Sequence, residues 1–248
     1  MSMQEGKTII ITGTSRGIGY HLSQRFLELG YHVLGISRSR TPLQHGNFRQ
    51  IYADLSTVDG MMSLRKQIEN VRVCGLINNA AIHGPIGAFE GNDLNDWMKA
   101  FQVNLFSAAA LAQMCIPRLR KEHGFIIFLS GGGSGFGRLN FSAYGISKTA
   151  VVRLSEVLAK ELAPDVLVYC VAPGPNRTRL LAEAIDGGEI VAPQDVVDFS
   201  APVNLCEFLA KNTDPRYSGK FIHVKDDYQN WGVPQLAPDA YTLRRVKP

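Results

Sequence analysis

Short, β-branched apolar runs recur along the chain, each closed by polar or glycine residues and followed by a longer amphipathic stretch. Residues 7–12 (KTIIIT), 32–36 (HVLGI), 73–77 (VCGLI), 125–129 (FIIFL) and 166–171 read as buried strands, with a weaker strand at 47–53 and a last one at 220–224. Between them, Leu22, Phe26 and Leu29 stand at helical spacing in residues 20–29, and Gly30 closes that helix. Ser56 is the expected N-cap of a helix reaching about residue 71. Asp93 or Asn95 caps a long helix over 94–121, which Pro117 kinks or ends. Further helices are expected over 142–162, over 178–188 as a short one, and over 194–210. Strands alternating with helices predict an α/β fold, a parallel sheet with helices on both faces. Ligands of such sheets bind at the carboxyl ends of the strands.

The length, 248 residues, suits one large α/β domain or two small ones, and 45% hydrophobic residues suffice for a sizeable core. We expect one domain over 1–248, a substrate lid at about 175–192 hinged at Gly187-Gly188, and an irregular tail over about 225–248 with Pro234, Pro238 and Pro248. A formal charge of +4 is too mild to argue for nucleic acid, and the basic run Arg244-Arg245-Val246-Lys247 reads as a solvated end. The polar start does not read as a signal peptide, and no apolar stretch reaches the ~18 residues of a membrane span. Cys74, Cys115, Cys170 and Cys206 stand apart in apolar contexts, as reduced core residues of a cytoplasmic protein would. The six histidines lack metal-ligand spacing, so no metal is expected.

Gly13-Thr-Ser-Arg16-Gly17-Ile-Gly19 joins the first strand to the first helix. Glycines there let backbone approach a pyrophosphate, and the helix start supplies unpaired N–H groups. Gly13, Ser15, Arg16, Gly17, Ile18 and Gly19 are therefore candidate dinucleotide contacts. The second strand runs into Ser37-Arg38-Ser39-Arg40, with no acid nearby. Ser37, Arg38 and Arg16 suit the 2′-phosphate of NADP better than the ribose hydroxyl of NAD. Tyr144 and Lys148 lie four residues apart, on one face of a helix. An ammonium beside a phenol lowers its pKa and makes a proton donor and acceptor of it. Asn104, amid Val103, Leu105 and Phe106, is either a satisfied core amide or part of a water relay. Arg138, Arg177 and Arg179 lie near the expected pocket mouth, as diphosphate contacts or as ordinary surface charges.

Thr12-Gly13-x-x-x-Gly17-x-Gly19, Asp54-Leu55, Asn78-Asn79-Ala80, Asn104, Tyr144-x-x-x-Lys148 and Pro173-Gly174-x-x-x-Thr178 occur in one order over nearly the whole chain. In this it resembles the short-chain dehydrogenase/reductase superfamily. The resemblance implies a Rossmann-type three-layer αβα sandwich with a mostly parallel sheet of about seven strands. It implies a nicotinamide cofactor, with Asp54 and Asn78 near the adenine and its ribose, Thr178 at the carboxamide, and Leu55, Ala80, Pro173 and Gly174 among its other contacts. Tyr144 would then be the acid/base, Lys148 would hold the ribose, and Asn104 would hold a water leading from Lys148 to solvent. The superfamily usually carries a serine thirteen residues before the tyrosine, where this chain has Gly131. Ser130, Ser134 or a backbone N–H is the expected stand-in. Ala81 replaces a usual glycine. The glycine triplet 131–133 and the ending 221–227 resemble a subgroup associated with sugar and nucleotide-sugar modification. The expectation is an NADP-dependent carbonyl reductase or alcohol dehydrogenase, acting on a polar ketone such as a keto-sugar. A cofactor-retaining epimerase or dehydratase, or a catalytically lapsed dinucleotide-binding regulatory protein, are the alternatives. A homodimer or homotetramer pairing through the two long helices is implied as well.

Overall fold

The computed structural model describes residues 6–131, 133–186, 195–230 and 239–243. Seven strands, β1 (Thr8–Thr12), β2 (His32–Ser37), β3 (Phe48–Tyr52), β4 (Val73–Asn78), β5 (Phe125–Leu129), β6 (Leu167–Ala172) and β7 (Phe221–His223), form one sheet in the order β3-β2-β1-β4-β5-β6-β7. Every adjacent pair is parallel. The chain winds outward from β1 to β3, then crosses back to place β4 against β1. That reversal opens a crevice at the carboxyl ends of β1 and β4.

Side-chain alternation along each strand feeds two cores. Ile10, Leu34, Ile36 and Ile126 pack beneath α2 (Val58–Ile68), α4 (Ser107–Glu122) and α5 (Ser142–Leu162). Ile9, Ile11, Val33 and Ile127 face α1 (Gly17–Glu28) and α7 (Ser200–Lys211). Helices thus cover both faces of the sheet, the three-layer arrangement expected.

Several boundaries differ from the sequence reading. Thr57, not Ser56, caps α2 by accepting from Gly60 N at 3.1 Å. Ser56 instead donates from its backbone and hydroxyl to Asp54 Oδ1. Asp93 caps α3 (Leu94–Phe101) through Asp96 N. The long helix is broken into α3 and α4 by a π turn, Gln102–Phe106, while Pro117 lies inside α4 without ending it. Its missing N–H opens one rung only, and Cys115 and Leu119 remain anchored in the core on either side. From Leu94 to Glu122 the chain is long and apolar enough by composition to cross a membrane, contrary to expectation, but α4 packs on β4. The last helix starts later than expected, because Val197 bridges Asn176 and Asp198 Oδ1 accepts from Ser200 N. Of the expected lid, α6 (Arg179–Asp186) is seen. Gly132, the Gly187-Gly188 hinge, Gln194, Pro234, Pro238, Pro248 and the basic run 244–247 lie outside the described residues. The described part of the tail is tied down: Tyr241 O accepts from Phe221 N at 2.7 Å, and Leu243 N donates to buried Glu156.

Candidate active site

A cavity of about 1050 Å³ lies along the carboxyl ends of the strands, from the turn after β1 to the start of α5 and on to α6. At its first end the wall is largely backbone. Gly13 (φ +75) and Gly17 (φ +58) adopt conformations that other residues resist. A Cβ on Gly13 would lie 2.7 Å from Asn79 Nδ2, and one on Gly19 would lie 2.3 Å from Gly13 O. The turn can therefore be this tight only with glycine. α1 follows at once with no side-chain cap and no acid in its first turn. Its leading N–H groups are donors suited to an anion. Asn79 fastens the crevice: its backbone donates to Thr12 Oγ1 and its Nδ2 donates to Thr12 O at 2.8 Å.

Ser15, Arg16, Ile18, Ser37, Arg38, Asp54, Leu55, Ala80, Pro173, Gly174 and Thr178 line the cavity with Gly13 and Gly17. Arg16 and Arg38 are exposed at its rim. Burial disfavours the charge on Asp54, but the bonds from Ser56, with Arg38 and Lys99 nearby, outweigh it and hold the carboxyl below its ordinary range. Thr178 reaches over the glycine turn, its Cγ2 3.4 Å from where a Gly17 Cβ would be. A glycine cradle and an uncapped helix start fit the pyrophosphate of a dinucleotide. Gly19 and Asn78 are not in the lining. Gly19 acts from beneath, and Asn78 turns towards α4, where its Nδ2 donates to Ala108 O at 3.5 Å.

At the other end, α5 presents Tyr144 and Lys148 on one face, both buried at the cavity wall. Lys148 Nζ lies 5.9 Å from the Tyr144 ring centre and donates to Leu129 O at 2.7 Å. The expected lowering of the phenol's pKa is absent. Burial pushes Tyr144 up to about 12, against the opposing charge of Arg138, and pushes Lys148 down to about 8. Desolvation outweighs the pairing that spacing alone suggests.

Gly131 lies directly against this phenol. A Cβ there would stand 2.2 Å from Tyr144 Oη and 2.9 Å from Cζ, so the tyrosine hydroxyl fills the space a serine side chain would take. The expected stand-ins are engaged elsewhere. Ser130 Oγ and Ser134 Oγ are buried 2.6 Å apart. Ser130 donates to Lys148 O and Ser134 to Gly131 O, while Gly131 N reaches back to Ser134 Oγ at 3.4 Å. Ser130 lines the cavity, yet its hydroxyl knits the glycine loop to α5.

Asn104 is a satisfied core amide, absent from the lining. From the π turn its Oδ1 accepts from Ile82 N and its Nδ2 donates to Ile82 O, both at 2.9 Å, and to Ser147 Oγ at 3.0 Å. This clasp fixes the strand-end loop that carries His83, a residue the sequence reading passed over. His83 lines the cavity edge-on to Tyr144, ring centres 5.0 Å apart. Burial lowers its pKa to about 4, so the ring is neutral at pH 7. Its only sequence signal is its position just beyond a strand end. Val103, Phe136, Phe141, Leu180, Leu181 and Ala184 complete an apolar wall. Arg138 stacks 4.4 Å over the Phe141 ring, and Arg179 is paired with Glu183. Both line the cavity, whereas Arg177 does not.

The family model described as short chain dehydrogenase matches residues 7–187. An uncharacterized oxidoreductase of Schizosaccharomyces pombe is 30% identical over 88% of this chain and 96% of its own length. The benzil reductase ((S)-benzoin forming) of Saccharomyces cerevisiae is 32% identical over 71% of this chain and 73% of its own. Among solved structures, a short chain dehydrogenase/reductase of Saccharomyces cerevisiae superposes with a TM-score of 0.82 at 25% identity, covering 91% of this chain and 98% of that one.

Proposed function

The chain belongs to the short-chain dehydrogenase family, oxidoreductases of CH–OH and C=O groups that bind a nicotinamide cofactor, and from that premise we propose an NADPH-dependent reductase of carbonyls with apolar or aromatic substituents. One observation carries this reading. The glycine turn with its two arginines and the buried phenol of Tyr144 line a single cavity, to which Val103, Phe136, Phe141, Leu180 and Leu181 also contribute apolar side chains.

Gly13, Gly17 and the start of α1 would hold the pyrophosphate, and Arg16, Ser37 and Arg38 the 2′-phosphate. The bound cofactor supplies a hydride to the carbonyl carbon. Tyr144 gives its proton to the carbonyl oxygen, so C=O becomes CH–OH. A phenol held up to about 12 keeps its proton at neutral pH and can yield it to a more basic developing alkoxide. Lys148 supports the floor beneath it through Leu129 O.

Val103, Phe136, Phe141, Leu180 and Leu181 suit an aryl or alkyl group better than a sugar's hydroxyls, which they would leave without partners. The relative named benzil reductase supports the same substrate class. NADPH consumption with benzil, simple aryl ketones, acyl-thioester ketones and keto-nucleotide-sugars tests this. Turnover is expected on the aryl ketones; turnover confined to the sugars, or none, overturns it. Pairing of copies through the long helices is supported by exposed Phe106, Ile146 and Val157, and light scattering that finds a monomer would exclude it.

A further inference from the structure

The position that usually carries a carbonyl-orienting serine is occupied by the Tyr144 hydroxyl against Gly131, and the neighbouring serines are bonded to each other and to the loop and α5 backbone. Tyr144 would therefore face the carbonyl without a second donor unless one comes from another segment. One polar side chain of the cavity wall stands next to this phenol. His83 lines the cavity, with its ring edge-on to Phe141 at 5.6 Å and to Tyr144 at 5.0 Å between centres. Its backbone neighbour Ile82 is clasped at both N and O by Asn104, so the loop cannot drift. Its Nδ1 is buried without a partner among the described residues. A buried polar atom left without a bond is costly, and turning the ring so that this nitrogen faces the cavity and a ligand's polar group would relieve that cost. A half-turn of the ring exchanges Nδ1 with a ring carbon and leaves the packing unchanged, so the N–H has two edges from which to reach.

We propose that the His83 imidazole donates a hydrogen bond to the substrate's carbonyl oxygen beside Tyr144, orienting it and taking the part left open by Gly131. This rests on the carbonyl-reductase reading given above. The neutral ring bears one N–H and one lone pair, so it can polarise an oxygen without competing as a proton source. The charged groups that bear on it are Glu183 on α6 and Arg138 on the glycine loop. Their opposite signs leave burial in command of its protonation.

Three measurements on the whole chain test the proposal. Ring-nitrogen NMR of ¹⁵N-histidine-labelled protein, loaded with NADP so that no hydride can transfer, is recorded with acetophenone added; a shift of the His83 signal is expected. His83→Phe keeps an aromatic ring against Phe141 and Tyr144 but has no donor. It is expected to weaken acetophenone binding and lower kcat/KM about 10- to 100-fold, with NADP affinity held within about twofold. His83→Gln restores a donor and should regain part of the loss. Unchanged binding and turnover in His83→Phe, or a ring signal indifferent to acetophenone, overturns the proposal and leaves the reductase reading standing. Shift and weakened binding without turnover in the wild type would overturn the reductase reading alone. Failure of acetophenone to bind the loaded wild-type protein counts against both.

Discussion

At the β1–α1 end the cavity is walled by the glycine turn, residues 13–18, one unbroken stretch of chain. At the α5 end it is walled by side chains from β4's following loop, the π turn, the glycine loop, α5 and α6. The first end can bind a phosphate wherever the backbone turns correctly, so its requirement is written as glycine spacing. The second end depends on which side chains meet after folding. A tight backbone turn fails when any Cβ is added. A side-chain wall can yield, moving a ring aside at the expense of chemistry rather than of the fold.

The two glycines Gly19 and Gly131 give the sharpest way to break this comparison. A Cβ on Gly19 would meet backbone, Gly13 O at 2.3 Å, along with Asn79 Nδ2 at 2.5 Å. Gly19→Ala is predicted to weaken NADPH binding about 100-fold and to cost about 1–3 kcal/mol of stability, measured by calorimetry and denaturant melts. The nearest atoms to a Cβ on Gly131 are side-chain atoms, the Oη, Cζ and Cε1 of Tyr144. Gly131→Ala should therefore fold normally and bind NADPH within about twofold of wild type, while kcat falls about 10- to 100-fold as the phenol swings from position. Equal damage to cofactor binding from both variants would erase the distinction between the two ends.

Arg38→Asp probes the cofactor end more gently. Losing a charge-assisted bond to the 2′-phosphate should move the NADPH-to-NADH affinity ratio about tenfold towards NADH, and less at high salt because Arg38 is exposed. Equal affinities in the wild type would refute the role given to these arginines. The smallest effect is one of stability at the α5 end. Burial lowers Lys148 from 10.5 to about 8. Between those values the unfolded chain holds a proton that the folded chain has shed, so this group makes stability rise with pH through that window. Unfolding free energies of wild type relative to Lys148→Met should rise from pH 8 to 10, and a flat difference would mean that Lys148 is not desolvated.

The same contrast explains what could be read in advance. The alternation of strands and helices and the glycine turn follow from local periodicity and spacing, while Asp54, Leu55, Ala80, Pro173, Gly174 and Thr178 were legible only through the family resemblance. Asn78 misleads there because successive strand residues point to opposite faces, so it turns to α4 while Asn79 takes the crevice. On the substrate side, spacing pairs Tyr144 with Lys148 correctly but says nothing of burial, and burial reverses the expected pKa shift. The replacement of the serine by the tyrosine's own hydroxyl is a three-dimensional fact, as is the convergence of His83, Phe141 and Ala184, which no short stretch of sequence contains. Tertiary packing overrides local signals in a related way elsewhere: α4 runs on through Pro117 without ending there, and Asp54 draws Ser56 from the cap.

The proton at Tyr144 is the point on which the catalytic proposal turns. The direct measurement is NADPH consumption with an aryl ketone by the wild type and by Tyr144→Phe, alongside NADPH affinity of each. Turnover in the wild type, a drop of about 10²–10⁴ in the variant and unchanged NADPH affinity are predicted. Undiminished turnover by Tyr144→Phe would contradict the assignment of this phenol as the acid.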